Sequence, residues 1–238
     1  MTMTPQDTDV VRRALRGLED ARPSARLRAA LAVGTNPDPR FVDALVERCA
    51  VEPEFFVRDM LTWALTRHPV ELTLPRTLRE LGSERAQARS QALHTLSKLG
   101  DPRAWPAITR GHLTDADDEV ARAAWRTAVL LVPDGEEPAL AEVLASQLGR
   151  GGRDTQLSLS RALVELGDVI QPFLGAAATA PDPAVRAHAL ATERILRDPE
   201  TGFGYAIEEA KRVVALDGAP GEGDWGGSTG GTARRVDR

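Results

Sequence analysis

The sequence predicts an all-α protein, an α-solenoid of about six helix pairs followed by one capping helix. The main observation is an amphipathic helix pattern that begins with arginine and recurs at intervals of 30 to 34 residues. Recurrence at this length is typical of stacked helical repeats. No stretch alternates apolar and polar residues for more than a few positions, so no strand is predicted. The apolar content is 42% with only 4% aromatics, which suits closely packed helices rich in alanine and leucine.

The recurring pattern, called the repeat frame, lies in the second helix of each pair. Its predicted starts are Arg26, Arg58, Arg89, Arg122, Gln156 and Arg186. A step of 100° per residue places the third, sixth, seventh and tenth residues after each start on one side of the helix. These residues are mostly Ala, Leu and Val, so this side should form the core. The arginines flank it, and we expect them to bond carbonyls or acids of a neighbouring turn rather than an external anion.

Helix caps and breakers set the element boundaries within residues 1–217, which form one predicted domain. Asp38 and Asp101 each precede a proline and should cap helices, while Gly82 and Gly100 should end them. The predicted helices are 10–21, 24–33, one opening at 39, one from 53 to before 69, 74–81, 84–99, one opening at 101, 117–132, 137–148, 153–166, 169–178, 184–196 and 203–216. The last helix is unpaired and has a polar side, as expected of a cap on the open end of an array.

The segment 218–238 differs in composition from the rest of the chain. It is rich in glycine and has no helical periodicity. Ordering such a segment is costly in conformational entropy, and it offers few large apolar residues to offset that cost. We therefore predict a disordered tail that is dispensable for folding.

Four segments carry a resemblance to a known repeat family. They are DPRFVDALVERC at 38–49, GDPRAWPAI at 100–108, DDEVARAAWRTAV at 117–129 and DPAVRAHALATERIL at 182–196. Their Asp-Pro turns, Val-Arg pair and following small residue recur in phase, and they resemble HEAT repeats, in particular the short bacterial repeats of phycobilisome-lyase-type proteins. The resemblance covers about residues 8–197. It implies a scaffold with a partner-binding surface, because only a minority of HEAT proteins are enzymes.

Composition argues against several classes of function. The formal charge is −5, and Lys98 and Lys211 are the only lysines, so the chain as a whole is not a polyanion binder. The N-terminus has no apolar targeting segment and no run reaches membrane-spanning length, so we expect a cytoplasmic, monomeric protein without a membrane partner. Cys49 is the only cysteine and cannot form an internal disulfide or a zinc site, and it does not support a bilin-lyase role. The histidines are scattered, so we expect no metal, cofactor or catalytic residue.

The outward positions, defined as the first and fifth residues after each frame start, should line the concave surface of the array. An exposed Trp63 beside Asp59 is a binding-site signal there. The fifth residues of four successive second helices would form a ladder of Trp63, His94, Thr127 and Arg161, which suits an extended or helical peptide. The predicted partner-binding residues are Asp59, Trp63, Ser90, His94, Arg126 and Arg161.

Two functions are compatible with this pattern. The first is a non-catalytic interaction module that binds a protein or peptide in its concave groove. The second is a HEAT-like DNA-binding enzyme of the alkylpurine DNA glycosylase type, in which Trp63 and Asp59 would act on nucleic acid. A uniformly basic surface with two exposed tryptophans would favour the enzyme, and a mixed, partly apolar surface would favour a protein partner. Trp125 falls on the core side of its helix, so we expect the protein partner.

Overall fold

The computed structural model describes residues 5–217, and every regular element within this range is helical. The predicted tail at 218–238 lies outside the described residues. The α-helices are α1 (Pro5–Leu18), α2 (Pro23–Thr35), α3 (Val42–Cys49), α4 (Phe55–Thr66), α5 (Val70–Glu80), α6 (Ala86–Leu99), α7 (Arg110–Leu113), α8 (Asp118–Leu131), α9 (Glu137–Ala145), α10 (Arg153–Glu165), α11 (Gln171–Ala177), α12 (Pro183–Arg197) and α13 (Phe203–Asp217). Short 3₁₀ segments, Pro39–Phe41, Pro102–Ala107 and Gly167–Ile170, precede α3, α7 and α11.

Consecutive helices pack as pairs, and each pair packs on the next. The helices α2, α4, α6, α8, α10 and α12 contact one another in that order, and these are the second helices of the pairs. The first helices also contact their counterparts in neighbouring pairs, as α1 does with α3 and α9 does with α11. The largest apolar cluster runs without interruption from Leu74 on α5 to Ala189 on α12. The observed architecture is therefore all-helical, with packing between adjacent helices.

Asp-Pro dipeptides begin the helical segments by a common mechanism. The carboxylates of Asp38, Asp101 and Asp182 each accept a hydrogen bond from the backbone N–H two residues later, at 2.8–2.9 Å. The proline that follows each aspartate has no N–H to leave unpaired and is already restricted to a helical φ. Gly100 ends α6 in the left-handed conformation, with φ of 63°. These caps confirm the helix starts predicted at Asp38 and Asp101 and the stop predicted at Gly100. The helix predicted at 74–81 instead begins at Val70, and its C-cap is Leu81 rather than Gly82.

The recurring arginines are structural. Arg26, Arg58, Arg89 and Arg186 each donate from Nη1 to two carbonyls of the loop just before their own helix, those five and six residues earlier. Gln156 reaches the same loop in its repeat, at 3.3–3.5 Å. These bonds satisfy loop carbonyls that the helix itself cannot pair. The expectation that the frame residues bond a turn is confirmed for these five, whereas Arg122 pairs with Glu119 of its own helix at 2.7 Å.

The predicted repeat frame is wrong by one residue in α8. In the other five second helices the frame residue lies four positions after the N-cap, but in α8 the N-cap is Asp117, so the frame begins at Ala121 rather than Arg122. Ala121 cannot bond the preceding loop. Arg150, from the next repeat, instead donates to the Asp115 carbonyl of that loop and pairs with Asp118 at 2.8 Å.

One helix is shorter than predicted, and α13 packs on the last second helix, α12. The first helix of the fourth pair contains only four residues, Arg110–Leu113, and the 3₁₀ segment before it, Pro102–Ala107, contains Pro106. At the C-terminal end, α13 buries Phe203, Ile207 and Val214 together with Ala187 and Ala191 of α12. Among the helices of residues 5–217, none combines the length and apolar character needed to cross a bilayer.

Candidate functional site

Four contacting second helices place the six predicted site residues. Asp59 and Trp63 are one turn apart on α4, and Ser90 and His94 are one turn apart on α6. Arg126 lies on α8 and Arg161 on α10. We call the surface that carries these six residues the second-helix face. Asp59, Trp63, Arg126 and Arg161 are exposed and the other two half-buried, and none of the six side chains forms a hydrogen bond or salt bridge with another described residue.

The indole of Trp63 rests against the backbone of α2. A Cβ atom at Gly34 would lie only 2.3 Å from its Cζ3 atom, so the absence of a side chain at this position makes room for the ring. Even so, 37% of Trp63 is exposed. Leu31, at the same position of α2, is 48% exposed. This end of the second-helix face therefore presents a supported aromatic side chain next to an aliphatic one.

The centre of the face is electropositive. Burial and the cations Arg126 and Lys98 lower the pKa of His94, and only Asp59 opposes them. Partial loss of hydration and the nearby Arg122 lower the pKa of Arg126, and Glu119 opposes them without cancelling the shift. Both shifts have the direction expected where positive charge is crowded without enough counter-charge.

A cleft of about 300 Å³ joins α6, α8 and α10 on this face. Lys98, Arg126 and Arg161 bring three cations to it, and Glu165 brings one carboxylate. The remaining lining residues are Ser97, Val129, Leu130 and Ala162. Leu130 is 58% exposed, so the cleft combines apolar surface with excess positive charge. Lys98 and Leu130 were not among the predicted site residues. For Leu130, recognising Asp117 as the N-cap would have given the correct rotation of α8 about its axis.

One member of the predicted outward ladder, Thr127, is buried. Thr127 is fully buried and donates from Oγ1 to the Leu93 carbonyl of α6 at 2.9 Å and to the Ala123 carbonyl at 2.7 Å. It faces α6 because the frame of α8 begins one residue earlier than predicted. Arg126 takes its place, so the row at the fifth position is Leu31, Trp63, His94, Arg126 and Arg161.

The sixth residue of that row, Ala191 on α12, is also fully buried, for a different reason. Ala191 and Ala187 occupy the outward positions of α12, and both belong to the apolar cluster that α13 completes. The N-terminal part of α13 also reaches α10, where Arg153 lies against Gly204. Small side chains allow this close approach of two helices. The chain therefore covers its own outward positions at one end with an amphipathic helix.

Other chemically suggestive groups in the described residues have structural roles. His188 and Ser160 lie 3.0 Å apart, but both are buried, and His188 also bonds Gly149 and Gln156. Burial raises the pKa of Cys49 to about 12, which keeps the thiol protonated. Trp125 is fully buried, as predicted, and donates from Nε1 to a carbonyl at 2.8 Å. Within the described range no three His, Cys, Asp or Glu side chains form a group that could hold a metal ion.

Comparisons with known proteins do not assign this chain to a family. No family model matches the chain, and no curated protein matches it in sequence. Among solved structures, it is similar to the crystal structure of an engineered protein, with 18% identity, a TM-score of 0.44, and coverage of 84% of this chain and 97% of that chain. This level of similarity implies neither a shared family nor a shared function.

Proposed function

We propose that this protein is a non-catalytic, HEAT-like α-solenoid of six helix pairs and a capping helix, which binds a protein or peptide partner on its second-helix face. In this proposal the face is the concave groove of the array. Residues 5–217 form the scaffold, and Asp59, Trp63, Ser90, His94, Arg126 and Arg161 contact the partner.

One observation carries the proposal. Residues at one repeated position stay exposed on α2, α4, α8 and α10 and half-buried on α6, while the same position on α12 is covered by α13. A surface that already accommodates one amphipathic helix of its own chain has suitable spacing and apolar character for another polypeptide. Trp63 would be the anchor, because an aromatic side chain that is held in place loses little conformational freedom on binding.

The character of the face supports a polypeptide rather than a nucleic-acid partner. Leu31 and Trp63 make one end apolar, and Asp59 adds a negative charge beside them. The cations Lys98, Arg126 and Arg161 line the cleft between α6, α8 and α10. Proteins that bind nucleic acid without sequence readout need a basic track along the whole backbone path. Of the tryptophans described on second helices, Trp63 is exposed and Trp125 is buried.

A peptide selection with matched variants tests the proposal. Random peptides displayed on phage are selected against the wild-type protein and counter-screened against Leu31→Ala/Trp63→Ala. The control is Phe55→Ala/Phe56→Ala, which removes two rings that are 64% and 76% exposed at the start of α4. All three proteins should keep the same helical circular dichroism.

The expected result is a set of peptides that bind the wild-type and control proteins and lose at least about tenfold in affinity on the Leu31→Ala/Trp63→Ala variant, or ~1.4 kcal/mol. Equal binding to all three proteins would place the site elsewhere and refute the proposal. Loss of binding only in the Phe55→Ala/Phe56→Ala protein would move the site to the start of α4.

A further inference from the structure

The cleft between α6, α8 and α10 has a chemistry distinct from the Trp63 end of the face. Lys98, Arg126 and Arg161 each come from a different helix and converge on one opening of about 300 Å³. Glu165 is the only acid that lines it, so positive charge exceeds negative charge locally although the whole chain carries −5. None of these four side chains forms a hydrogen bond or salt bridge within the described residues.

Several arginines with a structural role elsewhere in the fold are paired with acidic side chains. Arg26 makes a two-pronged pair with Glu52 at 2.7 Å, and Arg89 pairs with Asp115 at 2.9 Å. Arg76 bonds Asp43 of α3 and Glu80 of its own helix, α5. Arg126 has no such partner, and it is the one described arginine for which a lowered pKa is resolved. An anion placed beside it would relieve this cost.

The cleft also has apolar surface beside its cations. Val129, Leu130 and Ala162 line it, and Leu130 is more than half exposed. A free inorganic anion would contact the cations but would leave the apolar surface exposed to water. A peptide with a carboxylate next to an apolar side chain would use both.

Helix α13 indicates which form of peptide fits. It packs on the outward positions of α12 through Phe203, Ile207, Ala210 and Val214, which follow helical spacing. On the adjoining second helices, Arg161 of α10 and Arg126 of α8 are exposed at the position that Ala191 occupies on α12, and His94 of α6 is half-buried there. Three steps between packed helices, from Trp63 to Arg161, span ~24–30 Å, which a helix of ~16–20 residues covers.

We propose that the Lys98–Arg126–Arg161 cleft binds the carboxylates of an acidic amphipathic helix supplied by a partner protein. This inference rests on the proposed function and names the partner's chemistry: apolar residues at helical spacing, flanked by Glu or Asp. Arg126 and Arg161 present planar forks that accept carboxylates in pairs, Lys98 adds a third charge, and Leu130 packs against the apolar stripe of the helix.

The test uses a fluorescein-labelled peptide of eighteen residues, with leucine at the spacing of the buried α13 residues and glutamate beside each leucine. Three probes accompany it: the same peptide with glutamine for glutamate, a version with a central proline that breaks the helix, and a duplex DNA of equal charge. Binding is measured by fluorescence anisotropy at moderate salt. The Nε–H signals of Arg126 and Arg161 are followed by NMR up to millimolar peptide.

The protein variants are matched for charge. Arg126→Gln/Arg161→Gln alters the cleft, and Arg110→Gln/Arg212→Gln removes the same charge from two exposed arginines on α7 and α13. We expect the acidic peptide to bind the wild-type and control proteins and to lose at least about tenfold in affinity on the cleft variant. The glutamine and proline peptides should lose a similar factor on the wild-type protein, and both arginine signals should shift with the acidic peptide.

The possible failures point to different errors. Loss of binding in Leu31→Ala/Trp63→Ala without loss in the cleft variant would keep the proposed function and refute the carboxylate site. Equal binding of the proline peptide would refute the helical form. If DNA binds more tightly than the acidic peptide and shifts the same arginine signals, the cleft binds nucleic acid, and the peptide proposal is refuted. Absence of any shift at Arg126 or Arg161 at millimolar peptide would refute the inference as a whole.

Discussion

Protonation of His188 should destabilise the protein in a defined pH range. The imidazole is fully buried between α12 and α10, and its Nδ1 accepts a hydrogen bond from the Gly149 N–H at 3.0 Å. Its Nε2 lies 3.0 Å from the Gln156 carbonyl and therefore carries the proton. A second proton would have to go on Nδ1, which would break the bond to Gly149 and bury a charge. Burial accordingly lowers the pKa of His188 to about 4.

The size of the effect follows from the two pKa values. In the unfolded chain the pKa of this side chain returns to about 6.5. The difference of about 2.5 between the unfolded and folded values corresponds to ~3 kcal/mol of unfolding free energy. At a pH between these two pKa values, the unfolded state binds a proton that the folded state does not bind. Stability from this group is therefore complete above pH 6.5, falls as the pH decreases toward 4, and changes no further below 4.

Urea unfolding at pH 7.5, 6, 5 and 4.5 measures this loss. The range is chosen because the Glu52 carboxylate, whose pKa its arginine partners lower to about 2, loses its contribution only below about pH 4.5. His94 also has a lowered pKa, so His94→Gln serves as the control for a second histidine. His188→Gln should be less stable at pH 7.5, and its stability should fall much less between pH 7.5 and 4.5. An unchanged slope in His188→Gln, or a His188 pKa near 6.5 by NMR, would refute the reasoning.

Three further outcomes are expected from unfolding experiments at neutral pH. Leu65→Ala should destabilise by about 2–5 kcal/mol because the side chain is fully enclosed, while Leu130→Ala, at an exposed site, should cost much less; equal losses would contradict the burial pattern. Glu52→Gln should destabilise by about 3–5 kcal/mol because it leaves Arg26 buried without its counter-charge, and a smaller loss would mean that water replaces the carboxylate. A chain ending at Asp217 should melt within about 2 °C of the full chain, whereas a larger drop would show that residues 218–238 contribute to stability.

Most of the fold could be predicted because its signals are local. Asp-Pro caps mark where helices begin, and the spacing of small and apolar residues marks which side is buried. Leu61, Leu96 and Leu159 are fully buried where the repeat frame places them. The arginines at the frame starts bond the preceding loops, and this too depends only on residues near in sequence.

The errors arose where burial is not confined to one side of a helix. On α8, eight of fourteen residues are buried, and at 100° per residue they cover an arc of about 200°. A buried arc of this width does not define the rotation of the helix sharply, and Arg122 next to Ala121 then suggested the wrong start. The burial of Ala191 required knowledge of where α13 packs, which is a long-range feature. Two of the six site residues, Arg126 and Arg161, came into one cleft with Lys98 only because the true phase of α8 turns Arg126 outward.

The distribution of arginine, rather than its number, separates scaffold from candidate site in this protein. Arg26, Arg58 and Arg89 lie at the frame starts, where loop carbonyls and acids such as Glu52 use their hydrogen-bonding capacity. Arg126 and Arg161 lie five residues further along their helices, where they line the cleft and form no hydrogen bond or salt bridge within the described residues. A helix advances 500° in five residues, so the two positions are ~140° apart around the axis. The same residue type thus has two roles that depend on its position around the helix. At the frame start it bonds the preceding loop, and at the outward position its charge has no bonded partner within the described residues.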